Sequence, residues 1–270
     1  MAAHPLRECR SLLFLPASND RAIAKARELG ADMVVLDLED AVKVADKAAA
    51  RDAAAAATVE GFGGRPTAIR INPTESRHYG EDVVAVRRSG ADFVILAKAE
   101  SAKQVADAAW LMGRPVLAMI ETPRGVIDAA AIAPASRGLI AGTNDLAAAL
   151  GLPAGAGRHG LTYALQRIVL AARAGGVAAF DGVCNRLEAD EGLLAECKEG
   201  RQFGFDGKSV IHPSQIEAVN LAFAPTPAEL EAAERLIAAA TGGAERHDGR
   251  MIEAMHVEQA RTLLARARRS

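Results

Sequence analysis

Apolar residues in this chain gather into short, nearly unbroken runs. Eight are evident: Ser11–Pro16, Met33–Asp37, Thr67–Ile71, Phe93–Leu96, Val116–Ile120, Leu139–Ala141, Val177–Phe180 and Gly207–Ile211. Runs of three to six mostly apolar residues without polar alternation read as strands covered on both faces, the habit of parallel sheets. Between them lie segments with helical periodicity, such as Asp20–Leu29 and Asp82–Ser89. Strand and helix in strict alternation call for a parallel α/β architecture, and eight units favour closure into a (β/α)8 TIM barrel over an open doubly wound sheet. Gly30-Ala31-Asp32, Gly90-Ala91-Asp92 and Gly204-Phe205-Asp206 precede strands, and each glycine is expected to end a helix in the left-handed conformation.

The pattern changes after the eighth run. Pro225 and Pro227 break the chain, a capped helix follows over 227–240, then a polar loop over 241–249 and a basic helix over Met251–Arg269. The expected organisation is a catalytic barrel over residues 1–220 and a C-terminal helical extension over 221–270 that packs on a neighbouring subunit. No tandem repeat or linker marks a second independent core.

Composition narrows the function. The chain has 270 residues, half of them hydrophobic, with a formal charge of −2 and a pI near 6.3. That balance argues against nucleic acid as a partner. Met1–Cys9 has no apolar core of a signal peptide, and no run of 18 apolar residues exists, so a membrane span is not expected. Cys9, Cys184 and Cys197 are few, odd in number and not in metal spacing, which suits a reducing cytoplasm. Trp110 and the few other aromatics read as core.

Chemistry concentrates just past the runs, where a parallel barrel displays its active site. Glu121 ends the fifth run and Asp145 follows the sixth within Gly142-Thr143-Asn144-Asp145. Two such acids on neighbouring strands can share a hard divalent ion, Mg2+ by preference, with Mn2+ as a substitute. Backbone N–H groups of Gly142, Thr143 and Asn144 are candidates for binding a carboxylate or enolate oxygen; the plain alternative makes Asp145 a helix N-cap. Asp37, Glu39 and Asp40 crowd the end of the second run. Asp40 reads as an N-cap, and Asp37 and Glu39 as residues that orient a basic group or metal-bound water. Arg70 stands inside an apolar run, either as a bidentate clamp on a substrate carboxylate or as a structural partner of Asp37 or Glu39. Lys98 either balances the acids or forms a Schiff base. His212 reads as a packed residue rather than an acid or base.

Together these stretches resemble the citrate lyase β-subunit-like group of the HpcH/HpaI aldolase family. The resemblance rests on Arg10–Ser18, Gly30–Val42, Arg70-Ile-Asn-Pro73, Ile120-Glu-Thr-Pro123, Gly142–Leu146 and Gly204–Gln215, in that order. It implies a trimeric, magnesium-binding barrel that makes or breaks carbon–carbon bonds in acyl-CoA thioesters. It places the metal on Glu121 and Asp145, a substrate carboxylate on Arg70, and Arg10, Glu39 and Lys98 near the pocket. In related CoA lyases an aspartate in a Met-Ile-Asp segment handles the proton at a neighbouring subunit's site. Here that segment reads Met251-Ile252-Glu253, one methylene longer. Ala97 also stands before Lys98 where the family usually has proline. The expected activity is a Claisen-type lyase on malyl-CoA, citramalyl-CoA or 3-hydroxy-3-methylglutaryl-CoA. The rivals are a citrate lyase β subunit acting on citryl-acyl carrier protein, an HpaI-type aldolase on free keto acids, and a non-catalytic acyl-CoA-binding or regulatory protein.

Overall fold

All eight apolar runs form strands in the computed structural model, which describes residues 6–240, 243, 245–247 and 250–267. The strands are β1 (Ser11–Pro16), β2 (Met33–Asp37), β3 (Thr67–Ile71), β4 (Phe93–Leu96), β5 (Val116–Ile120), β6 (Gly138–Ala141), β7 (Ala178–Asp181) and β8 (Gly207–Val210). They pair in sequence order, all parallel, and β8 closes on β1, so the fold is a (β/α)8 barrel. Eight of the intervening and flanking helices accompany them: α1 (Asp20–Ala26), α2 (Lys47–Glu60), α3 (Tyr79–Arg88), α4 (Ala102–Met112), α5 (Pro123–Ile132), α6 (Thr143–Ala149), α7 (Thr162–Ala174) and α8 (Glu191–Phe203). A ninth, α9 (Gln215–Phe223), follows β8.

Alternate strand residues point inward. Leu12, Phe14, Met33, Val35, Ala68, Ile95, Leu117, Met119, Ile140 and Phe180 form one buried cluster that fills the barrel. The same parity carries Asp37, Arg70 and Glu121 to the inner face at the upper rim. Register sets their neighbours: Asp37 pairs with Arg70 across β2 and β3, and Ile120 pairs with Ala141 across β5 and β6.

Several sequence expectations need correction. Trp110 is 81% exposed on α4 and belongs to no core. α1 ends at Ala26, three residues early, and the chain turns through Arg27–Leu29. Of the three glycines, only Gly204 (φ 97°) is left-handed. Gly90 is required for space instead, since a Cβ there would lie 2.5 Å from the Thr58 carbonyl oxygen; nothing crowds Gly30. Asp40 caps no helix, and Ala41 N–H donates to Asp37 at 3.0 Å.

A second compact unit begins at Phe223. Its helix α10 (Pro227–Ala239) is capped, as expected, and the cap is a reciprocal capping box between Thr226 and Glu229. α10 packs against α11 (Ala254–Ala267). In the segment read as a loop, β9 (Glu245–His247) pairs antiparallel with β10 (Arg250–Ile252); the rest of 241–249, apart from Gly243, lies outside the described residues. The last helix therefore starts after Glu253 rather than at Met251, and Arg268 and Arg269 are beyond the described residues.

Candidate active site

The C-terminal ends of the strands enclose a cavity of about 430 Å³. Asp37, Asp40, Arg70, Glu121 and Asp145 line one side, with Phe14, Pro16, Val183, Ser209 and Ile211 on the other. A more open groove of about 730 Å³ lies beside it, bordered by Glu39, Lys98, Asn72 and Thr122.

Glu121 follows β5 directly, because Thr122 caps α5 and Pro123 opens it. Its carboxylate is buried, and Oε1 accepts the Lys98 N–H at 2.8 Å. Burial, and then the negative charge of Glu39, push its pKa up to about 8. Gly142 makes this position possible. A Cβ on Gly142 would approach Glu121 Cβ to 2.3 Å and its Oε2 to 2.5 Å. Asp145 lies in the first turn of α6, whose N-cap is Gly142, so the N-cap reading of Asp145 is wrong. Negative charge is favoured there by the helix dipole.

Lys98 joins the acids. It is the only non-glycine among the described residues with a left-handed backbone (φ 50°), a costly conformation that tends to mark functional sites. That turn aims its N–H at Glu121 while its Nζ lies 3.0 Å from Glu39 Oε1 and 3.1 Å from Asp145 Oδ2. Burial alone would favour a neutral amine, but those ion pairs hold the ammonium well above the ordinary lysine range. A Schiff-base role, which needs the free amine, does not fit.

Arg70 takes the structural partner. Nε and Nη2 bind Asp37 at 2.6 and 2.5 Å, and Nη1 lies 3.1 Å from Glu39 Oε2. Its guanidinium also stands 5.5 Å over the Phe14 ring and 3.6 Å from Met119 Sδ. Burial opposes the charge, yet Asp37 and Glu39 raise its pKa further. The fork facing Asp37 is occupied, so only the remaining N–H groups can reach a ligand. Glu39 is buried with its pKa raised, chiefly by burial, and its Oε2 accepts no hydrogen bond.

The other candidates fall elsewhere. Arg10 precedes β1 and so sits at the opposite, N-terminal rim, where Nε and Nη2 grip Asp32 at 2.8 and 3.0 Å. Its placement near the pocket is corrected on that ground. Gly142 N–H is spent on the Ile120 carbonyl and is not free for a ligand. Thr143 and Asn144 do line the cavity, with Asn144 and Asn185 joined by reciprocal amide bonds. His212 is exposed rather than packed; its ring Nδ1 bonds the Ser214 hydroxyl and accepts the Ser214 N–H. Glu253 precedes α11 in the second unit, where its N–H donates to His256 Nδ1 at 3.0 Å. Met119, Phe14 and Ser209 were not foreseen; period-two alternation from Glu121 and Ile211 would have found Met119 and Ser209, and Phe14 is two residues before Pro16 on β1.

The donor set suits a divalent cation. Among the described residues four carboxylates, Asp37, Glu39, Glu121 and Asp145, meet Arg70 and Lys98 directly and, for Asp37 and Glu39, the charge of Lys47, so the acids outnumber the cations, and the Glu39 oxygen without a hydrogen bond lies among them. Among the described residues no three His, Cys, Asp or Glu side chains converge as a metal cage. A magnesium site built from two carboxylates, water and substrate needs none.

A barrel with paired oxygen donors beside a guanidinium at its upper rim defines a metal-dependent barrel enzyme. Within that class, the chain belongs to the HpcH/HpaI aldolase/citrate lyase family, whose model matches residues 10–213. It is similar to the (3S)-malyl-CoA thioesterase of Cereibacter sphaeroides, 41% identical with 98% of this chain and 96% of that protein covered. It is also similar to citrate lyase subunit beta of Haemophilus influenzae, at 36% identity over 96% and 97%. Among solved structures, CitE of Mycobacterium tuberculosis in complex with magnesium, acetoacetate and coenzyme A matches with a TM-score of 0.83 and 37% identity, covering 97% of this chain and 99% of that one.

Proposed function

We propose that this protein is a Mg2+-dependent carbon–carbon lyase. It cleaves, or forms, a 3-hydroxy-acyl-CoA thioester such as malyl-CoA, citramalyl-CoA or 3-hydroxy-3-methylglutaryl-CoA, giving an α-keto acid or related acid and acetyl-CoA. The observation that carries the reading is the buried Glu121 beside Asp145 in one cavity with Arg70, in a cluster rich in acids. Support for the ligands comes from relatives named for malyl-CoA and for complexes with magnesium and coenzyme A.

Glu121 and Asp145 would hold the ion. When bound, magnesium supplies Lewis acidity to the hydroxyl and carboxylate oxygens of the 2-hydroxy acid unit. Arg70, locked by Asp37, offers its remaining N–H groups to the carboxylate. Lys98 keeps Glu39 and Asp145 in place through its two ion pairs and orients Glu121 through its N–H. The buried side chains keep bulk water from the breaking bond. The proposal includes a homotrimer in the cytoplasm, with Glu253 of one subunit protonating the enolate formed in its neighbour; the support is the likeness of Met251-Ile252-Glu253 to the family segment. Among the described residues no helix is long and apolar enough to cross a membrane.

A second reading, thioester hydrolysis, is favoured by the thioesterase name of a relative at 41% identity. One experiment separates them. The protein is offered malyl-CoA, citramalyl-CoA, 3-hydroxy-3-methylglutaryl-CoA, citryl-acyl carrier protein and a free 4-hydroxy-2-keto acid, with magnesium or with EDTA. The lyase reading expects acetyl-CoA and keto acid together, abolished by EDTA. Free CoA thiol without keto acid identifies the hydrolase, and turnover of citryl-acyl carrier protein alone identifies the citrate lyase subunit. Keto-acid release from substrates lacking CoA identifies the free-acid aldolase, and no turnover at all leaves the binding protein.

A further inference from the structure

The two sides of the cavity differ in chemistry. The side built by β2, β3, β5 and β6 carries the acids and Arg70. The side built by β8 and β1 is apolar, with Phe14, Pro16 and Ile211, except for one hydroxyl. That hydroxyl belongs to Ser209. On β8, Lys208 turns outward to Asp181 and Glu196, so Ser209 turns inward, as does Ile211, which packs on the interior cluster. Ser209 is 1% exposed, and its Oγ has no hydrogen-bond partner. Buried hydroxyls are rarely left unpaired because the loss of hydration is uncompensated. This one lies against a cavity rather than in packed core, so its partner can be a ligand or a ligand-held water.

The carbon that bears the substrate hydroxyl has four substituents. On the reading proposed above, its hydroxyl and carboxylate face Glu121, Asp145 and Arg70. The thioester arm leaves through the mouth, because coenzyme A is too large for a cavity of about 430 Å³. The fourth substituent is then directed at the remaining wall, where Ser209, Phe14 and Ile211 lie. Hydrogen at that position leaves space for a water that pairs Ser209 and the ligand oxygens. A methyl group closes on the hydroxyl and leaves it dry and unpaired. A carboxymethyl group brings a second carboxylate to a cavity where, among the described residues that line it, Arg70 is the sole cation, already engaged with Asp37 and Glu39.

We propose that Ser209 is a specificity-determining residue that selects hydrogen over methyl or carboxymethyl on the hydroxyl-bearing carbon, so that the preferred keto-acid product is the smallest monocarboxylate. This inference rests on the lyase reading for its substrates, but its binding test does not. The variant Ser209→Ala turns the wall wholly apolar, and Ser209→Thr keeps the hydroxyl while adding bulk. kcat/KM is measured for malyl-CoA and citramalyl-CoA, and affinity for glyoxylate and pyruvate by calorimetry with magnesium; thermal unfolding confirms that each variant folds. Wild type is expected to favour malyl-CoA. Ser209→Ala is expected to lower the malyl-to-citramalyl ratio about tenfold, mainly by a gain on the methyl substrate, and to tighten pyruvate but not glyoxylate. Ser209→Thr is expected to keep or increase the wild-type preference. Thioester cleavage with an unchanged ratio in Ser209→Ala overturns the role of Ser209 and leaves the lyase reading intact. The shift in keto-acid affinity without any thioester cleavage supports Ser209 and overturns the lyase reading. Absence of both cleavage and keto-acid binding overturns the two together.

Discussion

The buried ionic cluster at the mouth of this barrel and the one in its wall are built to opposite ends. In the wall, Asp181 at the end of β7 is fully buried. Arg158 grips both its oxygens at 2.8 Å, Lys208 from β8 reaches it at 3.0 Å, and Gly182 N–H adds a bond at 2.8 Å. Burial opposes its charge, but Lys208 and Arg158 hold its pKa below the usual range. At the mouth, Glu121 and Glu39 are buried too, and both have raised pKa values. Each cluster holds one buried side-chain atom without a hydrogen bond, Arg158 Nε in the wall and Glu39 Oε2 at the mouth. In the wall the cations outweigh burial for Asp181, whereas at the mouth burial outweighs them for Glu121 and Glu39. Burial alone therefore does not distinguish a structural from a functional cluster; whether the acids end up stabilised or strained does.

That contrast can be broken by mutation. The largest expected effect on activity is at the mouth: Glu121→Ala or Asp145→Ala should lower magnesium-dependent turnover by about 10³-fold or more. Full activity of either variant in an acetyl-CoA release assay with added magnesium would overturn the metal assignment. The wall should answer in stability instead. Asp181→Ala strands Lys208 without its closest acid and should cost about 3–5 kcal/mol in denaturant unfolding. A loss under 1 kcal/mol would show that the cluster is not the fastener described here.

A subtler variant sharpens the comparison without touching a charge. Gly142→Ala forces Glu121 aside and should weaken magnesium affinity by about 10–100-fold, an effect of the size seen when groups supporting a metal ligand are lost. Unchanged affinity by calorimetry would mean that Glu121 has another way to bind.

The last test is a pH dependence. Glu121 has a folded pKa raised to about 8 from the ordinary 4.5. A raised acid contributes stability in its protonated form that is fully present below the ordinary value and is lost as pH rises through the folded one. Without metal, wild type should therefore lose on the order of 3 kcal/mol relative to Glu121→Gln between pH 4.5 and about 8. Magnesium affinity should rise over the same window, because the proton competes with the ion. Parallel pH–stability curves for the two metal-free proteins would show that Glu121 is already ionised.

Arg70 and Lys208 show how much of this was legible. Each is a charged residue within an apolar strand. The signal was read for Arg70 and passed over for Lys208, although the same reasoning applies: such a residue must have a partner. Which partner was not legible in either case. Asp37 meets Arg70 because β2 and β3 pair in that register, while Asp181 meets Lys208 across β7 and β8.

The sequence by itself determined the number and order of the strands, a capped helix after Pro225, and the placement of Glu121 and Asp145 just past strand ends. These follow from periodicity and from contacts within a few residues, which are local properties of a chain. Only the tertiary structure decided that Arg10 faces the wrong rim, that Trp110 is exposed, that Gly142 makes room for Glu121, and that the Ser209 hydroxyl lacks a partner. Those depend on register and enclosure, which bring together residues far apart in the chain and set how much water each group retains.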